Sequence, residues 1–180
     1  MSLLSCNSKK LELPRVSGAT HTEMLDYSTI YVFYNADNQK AGLNQNNLIT
    51  STHWVFHVDR RLSLSEAGAM IVKMQDKKEK PGPHDNPNSR NFFSVADMDN
   101  QELRFVDFTK TRFRILPESS ADIRLLANDD LESEANRLID SNETPEKIYL
   151  DATVNFEKML VFLQKIQSAG VYINEIYIKP

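Results

Sequence analysis

The sequence predicts an α+β domain: a mixed sheet of about five or six strands, two main helices on one face, and an N-terminal tether. Three observations carry this expectation. The closing stretch from Lys147 to Lys179 reads as strand, helix and strand in succession. Two aromatic, β-branched runs, Ile30–Tyr34 and Trp54–Val58, are too short for helices and rich in strand formers. The pattern Ser63-Leu64-Ser65-Glu66 is a capping box opening a helix.

The elements follow in order. Residues 7 to about 26, with Pro14 and Gly18, read as a polar tether, so the domain is expected to span 27–180. Asn35 to Lys40 is a turn, because asparagine and aspartate bond their own backbone. Leu43–Ile49 is a short edge strand or loop. After the capping box, Leu64, Ala67, Met70, Ile71 and Met74 share one helix face, and Pro81-Gly82-Pro83 ends the helix. Phe92–Ala96 and Leu103–Phe108 form a hairpin around Asp97–Gln101, with the second strand continuing through Phe113 and Ile115. Ser120–Asp140 is acidic and helical, with a break expected at Asn128-Asp129-Asp130.

In the closing unit, Phe156, Met159, Leu160, Leu163 and Ile166 recur at three- and four-residue steps and line one helix face. Thr153 or Asn155 caps its start, and Gly170 sits where a left-handed residue closes a helix. Val171, Ile173, Ile176 and Ile178 then suit a strand. The strand–helix pair at 54–75 echoes the one at 148–168.

Composition narrows the function classes. At 180 residues, 41% hydrophobic and 26% charged, the chain is an ordinary globular protein. A net charge of −4 and the lack of a basic stripe disfavour nucleic acid as a partner. Five unclustered glycines exclude both phosphate-loop motifs, and no G-x-S-x-G elbow exists. No cofactor is implied. His53 and His57 share a strand face with no third ligand beside them, so they read as solvent-side or capping residues rather than a metal pair. Asp97–Glu102 lacks the glycine and glutamate of a calcium loop and reads as a hairpin turn. Asp129, Asp130, Glu132 and Glu134 fall on a solvated helix face. Tyr27, Tyr31, Phe33, Tyr34, Trp54 and Phe56 are either a core with its rim or an aromatic floor for sugars or peptides.

The one cysteine, Cys6, follows Leu3-Leu4-Ser5 and precedes a polar stretch. This resembles the end of a bacterial lipoprotein signal, in which the cysteine becomes the lipid-bearing residue. The expectation is a periplasm-facing lipoprotein of the bacterial envelope, bound to a membrane only through that anchor.

Two stretches resemble the soluble periplasmic domain of the ExbD/TolR family. One is Ile30–Lys40 followed by Leu62–Glu66; the other is Ile148–Ala152 with Val154-Asn155-Phe156 and Ala169-Gly170-Val171. Residues 81–144 then read as an insertion relative to that family. The family's membrane helix, with its proton-carrying aspartate, has no counterpart in this sequence. The resemblance implies the fold and not proton transport.

The function expected is therefore non-enzymatic: an envelope interaction module binding a protein partner or peptidoglycan through a sheet edge or the 81–91 loop. In that loop His84, Asp85, Asn88 and Arg90 are the candidate contact residues, and a dimer is an open possibility. The alternatives are a hydrolase of envelope polymers and a small-ligand sensor. A hydrolase requires a deep cleft where a histidine and a carboxylate, or two carboxylates, converge.

Overall fold

The computed structural model describes residues 11–35, 38, 40–45, 47–80, 86–117 and 123–180, and Cys6, His84 and Asp85 lie outside them. The described chain contains nine strands and three helices. They are β1 (Arg15–Val16), β2 (Tyr27–Asn35), β3 (Lys40–Asn44), β4 (His53–Val58), α1 (Leu64–Lys78), β5 (Asn91–Asp97), β6 (Leu103–Asp107), β7 (Arg112–Ile115), α2 (Leu131–Ser141), β8 (Lys147–Asp151), α3 (Phe156–Ser168) and β9 (Glu175–Lys179). The class is α+β, with a mixed six-stranded sheet.

That sheet is built around three parallel strands, β2, β4 and β5. β3 folds back antiparallel on β2 at one side, and β6 folds back antiparallel on β5 at the other. β1 continues the edge of β5 beyond the point where β4 stops pairing, with Arg15 opposite Ala96.

The closing strands do not join this sheet. β7, β9 and β8 form a second, wholly parallel sheet in that order. The continuous strand expected from Leu103 to Ile115 is broken at 108–111. There the Asp107 carboxylate accepts the Thr109 main-chain N–H at 2.8 Å, turning the chain. The buried Thr111 hydroxyl then donates to the Ile173 carbonyl at 2.8 Å and starts β7 against the other sheet.

The tether expected over residues 7 to about 26 does not hold for 11–26. Val16 is buried in the main core, His21 bridges to Phe105 of β6, and Ala19 is buried, so residues 11–26 are part of the fold. The reason is a row of fixed partners. The Glu12 N–H faces the fully buried Asp59 carboxylate, and the Arg15 N–H donates to Glu157 Oε2 at 2.9 Å.

Helix α1 forms where the sequence places it. Glu66 reaches back to the Ser63 N–H at 2.8 Å, and Leu64, Ala67, Ile71 and Met74 are fully buried. α1 touches β3 of the larger sheet and β7 and β9 of the smaller one, so it joins the two rather than covering one face. Near its end the buried Gln75 donates through Nε2 to the Thr111 carbonyl and accepts the Phe113 N–H at 2.9 Å. Its amide satisfies the free edge of β7 as a further strand would.

α3 begins at Asn155, whose side chain accepts the Lys158 N–H at 3.3 Å. It buries Phe156, Met159, Leu160, Leu163 and Ile166, the five residues of the predicted stripe. Gly170 follows with φ +81, the left-handed conformation that glycine adopts without strain. Five phenylalanines fasten the halves together: Phe93 stacks on Phe108 at 3.9 Å and meets Phe56, Phe113 and Phe156 edge-on.

Candidate functional site

The helix-side face of the larger sheet is core: Ile30, Val32, Trp54, Phe56, Val58, Phe93 and Val95 are buried there. Strand alternation sends their neighbours to the opposite face. Across it run Tyr27, Thr29, Tyr31 and Phe33 of β2, His53, Val55 and His57 of β4, and Phe92 and Ser94 of β5. Val55, Phe92 and Phe105 form a small separate cluster under Met24, where the incoming chain covers this face.

Toward β3 the face opens. Tyr27 and Tyr31 are 46% and 40% exposed, which is large for aromatics on a sheet. Phe33 lies directly across from Gly42 of β3, and a Cβ on Gly42 would fall 2.4 Å from the Phe33 ring. Glycine at 42 therefore lets the ring lie flat across the edge strand. No described strand pairs with the far side of β3. The aromatics of β2 and β4 are thus divided by strand alternation: Trp54 and Phe56 are core, and Tyr27, Tyr31 and Phe33 form an outward row.

The two histidines lie on this outer face, as their spacing predicts. His53 Nδ1 accepts the Arg90 N–H at 3.0 Å, so it is a capping residue. Burial, then the charges of Lys78 and Arg90, hold its pKa below the usual histidine value. His57 stacks on Tyr31 with centroids 4.8 Å apart, and its Nδ1 lies 2.8 Å from Ser94 Oγ. Burial lowers its pKa to about 4, so the ring is neutral near pH 7.

A serine beside a neutral histidine is the first half of a nucleophilic pair. Sequence reading missed it because His57 and Ser94 meet only through the pairing of β4 with β5. The geometry does not complete it. Ser94 is 1% exposed and no described carboxylate orients His57, so no carbonyl substrate reaches the hydroxyl.

Several carboxylates are likewise engaged. Asp97 Oδ1 accepts the main-chain N–H groups of Asp99 and Asn100, which makes 97–102 a turn. Asp130 accepts the Ala127 N–H at 2.8 Å, and Glu134 pairs with Arg137. For Asp59, burial raises the pKa, but hydrogen bonds from Arg61 and from the Glu12 N–H outweigh it and the carboxyl stays ionised. Among the described residues no three histidine, cysteine, aspartate or glutamate side chains cluster as metal ligands.

Of the four loop residues expected to act together, Asn88 and Arg90 are described. Asn88 is exposed, its N–H donating to the Asn86 side chain at 2.9 Å. Arg90 pairs with Asp107 and lies over the Phe92 ring. Lys78 of α1 fixes the same place: its ammonium donates to the Arg90 carbonyl and to Asn91 Oδ1, both at 2.9 Å. Burial lowers the Lys78 pKa to about 8. Among the described residues no helix is long and apolar enough to cross a membrane.

No family model, curated protein or solved structure matches this chain.

Proposed function

We propose that this protein is a non-catalytic interaction module of the bacterial envelope, anchored by lipid at Cys6, which binds an extended segment of a protein partner along β3. The observation that carries this reading is the outward row Tyr27, Tyr31 and Phe33 lying one strand in from an edge with no described strand on its far side. An added strand gains main-chain hydrogen bonds from such an edge, and alternate side chains gain contact area from the aromatics beside it. β3, Lys-Ala-Gly-Leu-Asn, has no proline or bulge to blunt pairing, and its one charge stands at its first residue. The sequence at 1–10 supports the anchor, and that at 30–40, 62–66 and 148–171 supports kinship with ExbD/TolR domains.

Peptidoglycan is the second reading, because exposed tyrosines also stack on sugar rings. One experiment separates the two. A photocrosslinking residue at Lys40 or Asn44, both exposed, is introduced into the full-length protein in its host. Discrete protein adducts that disappear with Tyr31→Ala are expected. Adducts confined to the cell-wall fraction favour peptidoglycan, and an absence of adducts at both positions overturns the edge-binding function. The anchor is tested by detergent partitioning of wild type against Cys6→Ser: equal solubility of the two removes the lipoprotein assignment.

A further inference from the structure

A cleft of about 360 Å³ opens beyond β6, away from the β3 edge, between the 18–21 segment, the last turn of α3 and the 108–111 turn. That volume is within the range of small-molecule sites. Its one carboxylate, Asp107, is already matched: Arg90 pairs with Oδ2, and the Thr109 N–H and hydroxyl bond Oδ1. The other cation, Lys110, has its ammonium 5.4 Å from the centre of the Tyr172 ring and has no ion-pair partner among the described residues. Among the described residues the cleft therefore carries one uncompensated positive charge, in a chain of net charge −4.

The neutral wall is held in place. Gln164 Nε2 donates to the Gly18 carbonyl at 2.7 Å, and Gln167 Nε2 donates to the Asp107 carbonyl at 3.0 Å. Gln164 Nε2 also donates to Ser168 Oγ at 2.9 Å, so both of its N–H groups are used and its amide oxygen is the group that can accept from a ligand hydroxyl. Both amides are held with their conformational entropy already lost. Tyr172 is 47% exposed, with the Lys110 ammonium over one face of its ring.

We propose that this cleft binds a small acidic sugar: one anionic group paired with Lys110, the sugar ring against the exposed part of Tyr172, and the hydroxyls facing the glutamine wall. The anion comes from one of two chemistries, a carboxylate or a phosphate ester, and charge-assisted bonding to an ammonium suits both. The site is remote from β3 and does not depend on partner binding there.

The test is a calorimetric titration of the folded protein with glucuronate, glucose 1-phosphate and uncharged glucose at low salt. At least one acid is expected to saturate, about tenfold or more tighter than glucose, because only the acid gains the Lys110 charge. The acid that binds identifies the chemistry, and binding of both assigns a general anion site. Lys110→Gln is expected to abolish the preference for acid over glucose, and Tyr172→Ala to weaken the acid about tenfold. Both substitutions are at exposed positions, so unchanged urea midpoints show that the fold is intact. Failure of both acids to saturate, or unchanged affinity in Lys110→Gln, overturns the proposal. A binding result here leaves the crosslinking result at β3 unaffected, so the two readings fail separately.

Discussion

Ser63 and Asn155, the residues that open α1 and α3, face each other as an isolated antiparallel bridge. The Leu64 N–H donates to the Val154 carbonyl at 2.8 Å and the Phe156 N–H to the Leu62 carbonyl at 2.9 Å. The starts of the two helices thus satisfy each other's unpaired amides across a sequence gap of about ninety residues. β4–α1–β5 and β8–α3–β9 are two strand–helix–strand units joined at their helix starts. α1 lies against the sheet of the second unit, and Phe156 of α3 meets Phe93 of the first.

Asn155 has two duties in this junction. Its Oδ1 caps α3 and its Nδ2 donates to the Arg60 carbonyl at 3.0 Å. Asn155→Ala is expected to cost about 1–2 kcal/mol in urea unfolding. Asn155→Asp keeps the cap and loses the donor, so a stability between alanine and wild type is expected.

Leu163 is fully buried on α3. Leu163→Ala leaves a cavity and is expected to cost about 2–5 kcal/mol in denaturant unfolding. A loss below about 1 kcal/mol would contradict the assignment of this helix as the centre of stability.

Gly68 of α1 lies against Ile178 of β9, where an added Cβ would stand 2.4 Å from Ile178 Cδ1. Alanine improves helix propensity by about 1 kcal/mol, but overpacking costs about 1–3 kcal/mol, so net destabilisation is expected. Ile178→Val removes the clashing methyl and alone costs about 0.5–1.5 kcal/mol. The double variant should be more stable than the sum of the single losses, read from a double-mutant cycle of urea midpoints.

His57 makes stability depend on pH in a defined window. Its folded pKa is about 4 against a usual 6.5, so between these values the unfolded chain binds the proton more readily. Stability is unaffected by this group above pH 6.5. It falls as pH drops from 6.5 to 4, by about 2–3 kcal/mol at the limit. His57→Gln should flatten most of that slope, measured as urea midpoints at several pH values; an unchanged slope rules His57 out. Asp59 acts lower on the scale. Its pKa is depressed, so its contribution is present above about pH 4 and is lost as pH falls further.

The sequence by itself determined what depends on neighbours within one or two turns. The stripe from Phe156 to Ile166, the capping box at Ser63, the left-handed Gly170 and the shared face of His53 and His57 all follow from local periodicity and backbone sterics. The composition of Ile30–Tyr34 marks a strand, but it does not say which face of that strand is core. Only the tertiary structure decided that β7, β8 and β9 leave the main sheet, because strand pairing depends on partners distant in the chain. It alone brought His57 to Ser94, and carried Lys110 and Tyr172 to the same cleft as Arg90 and Gln164. These groups are far apart in sequence and share no period, so their meeting is a property of packing, which no local pattern encodes.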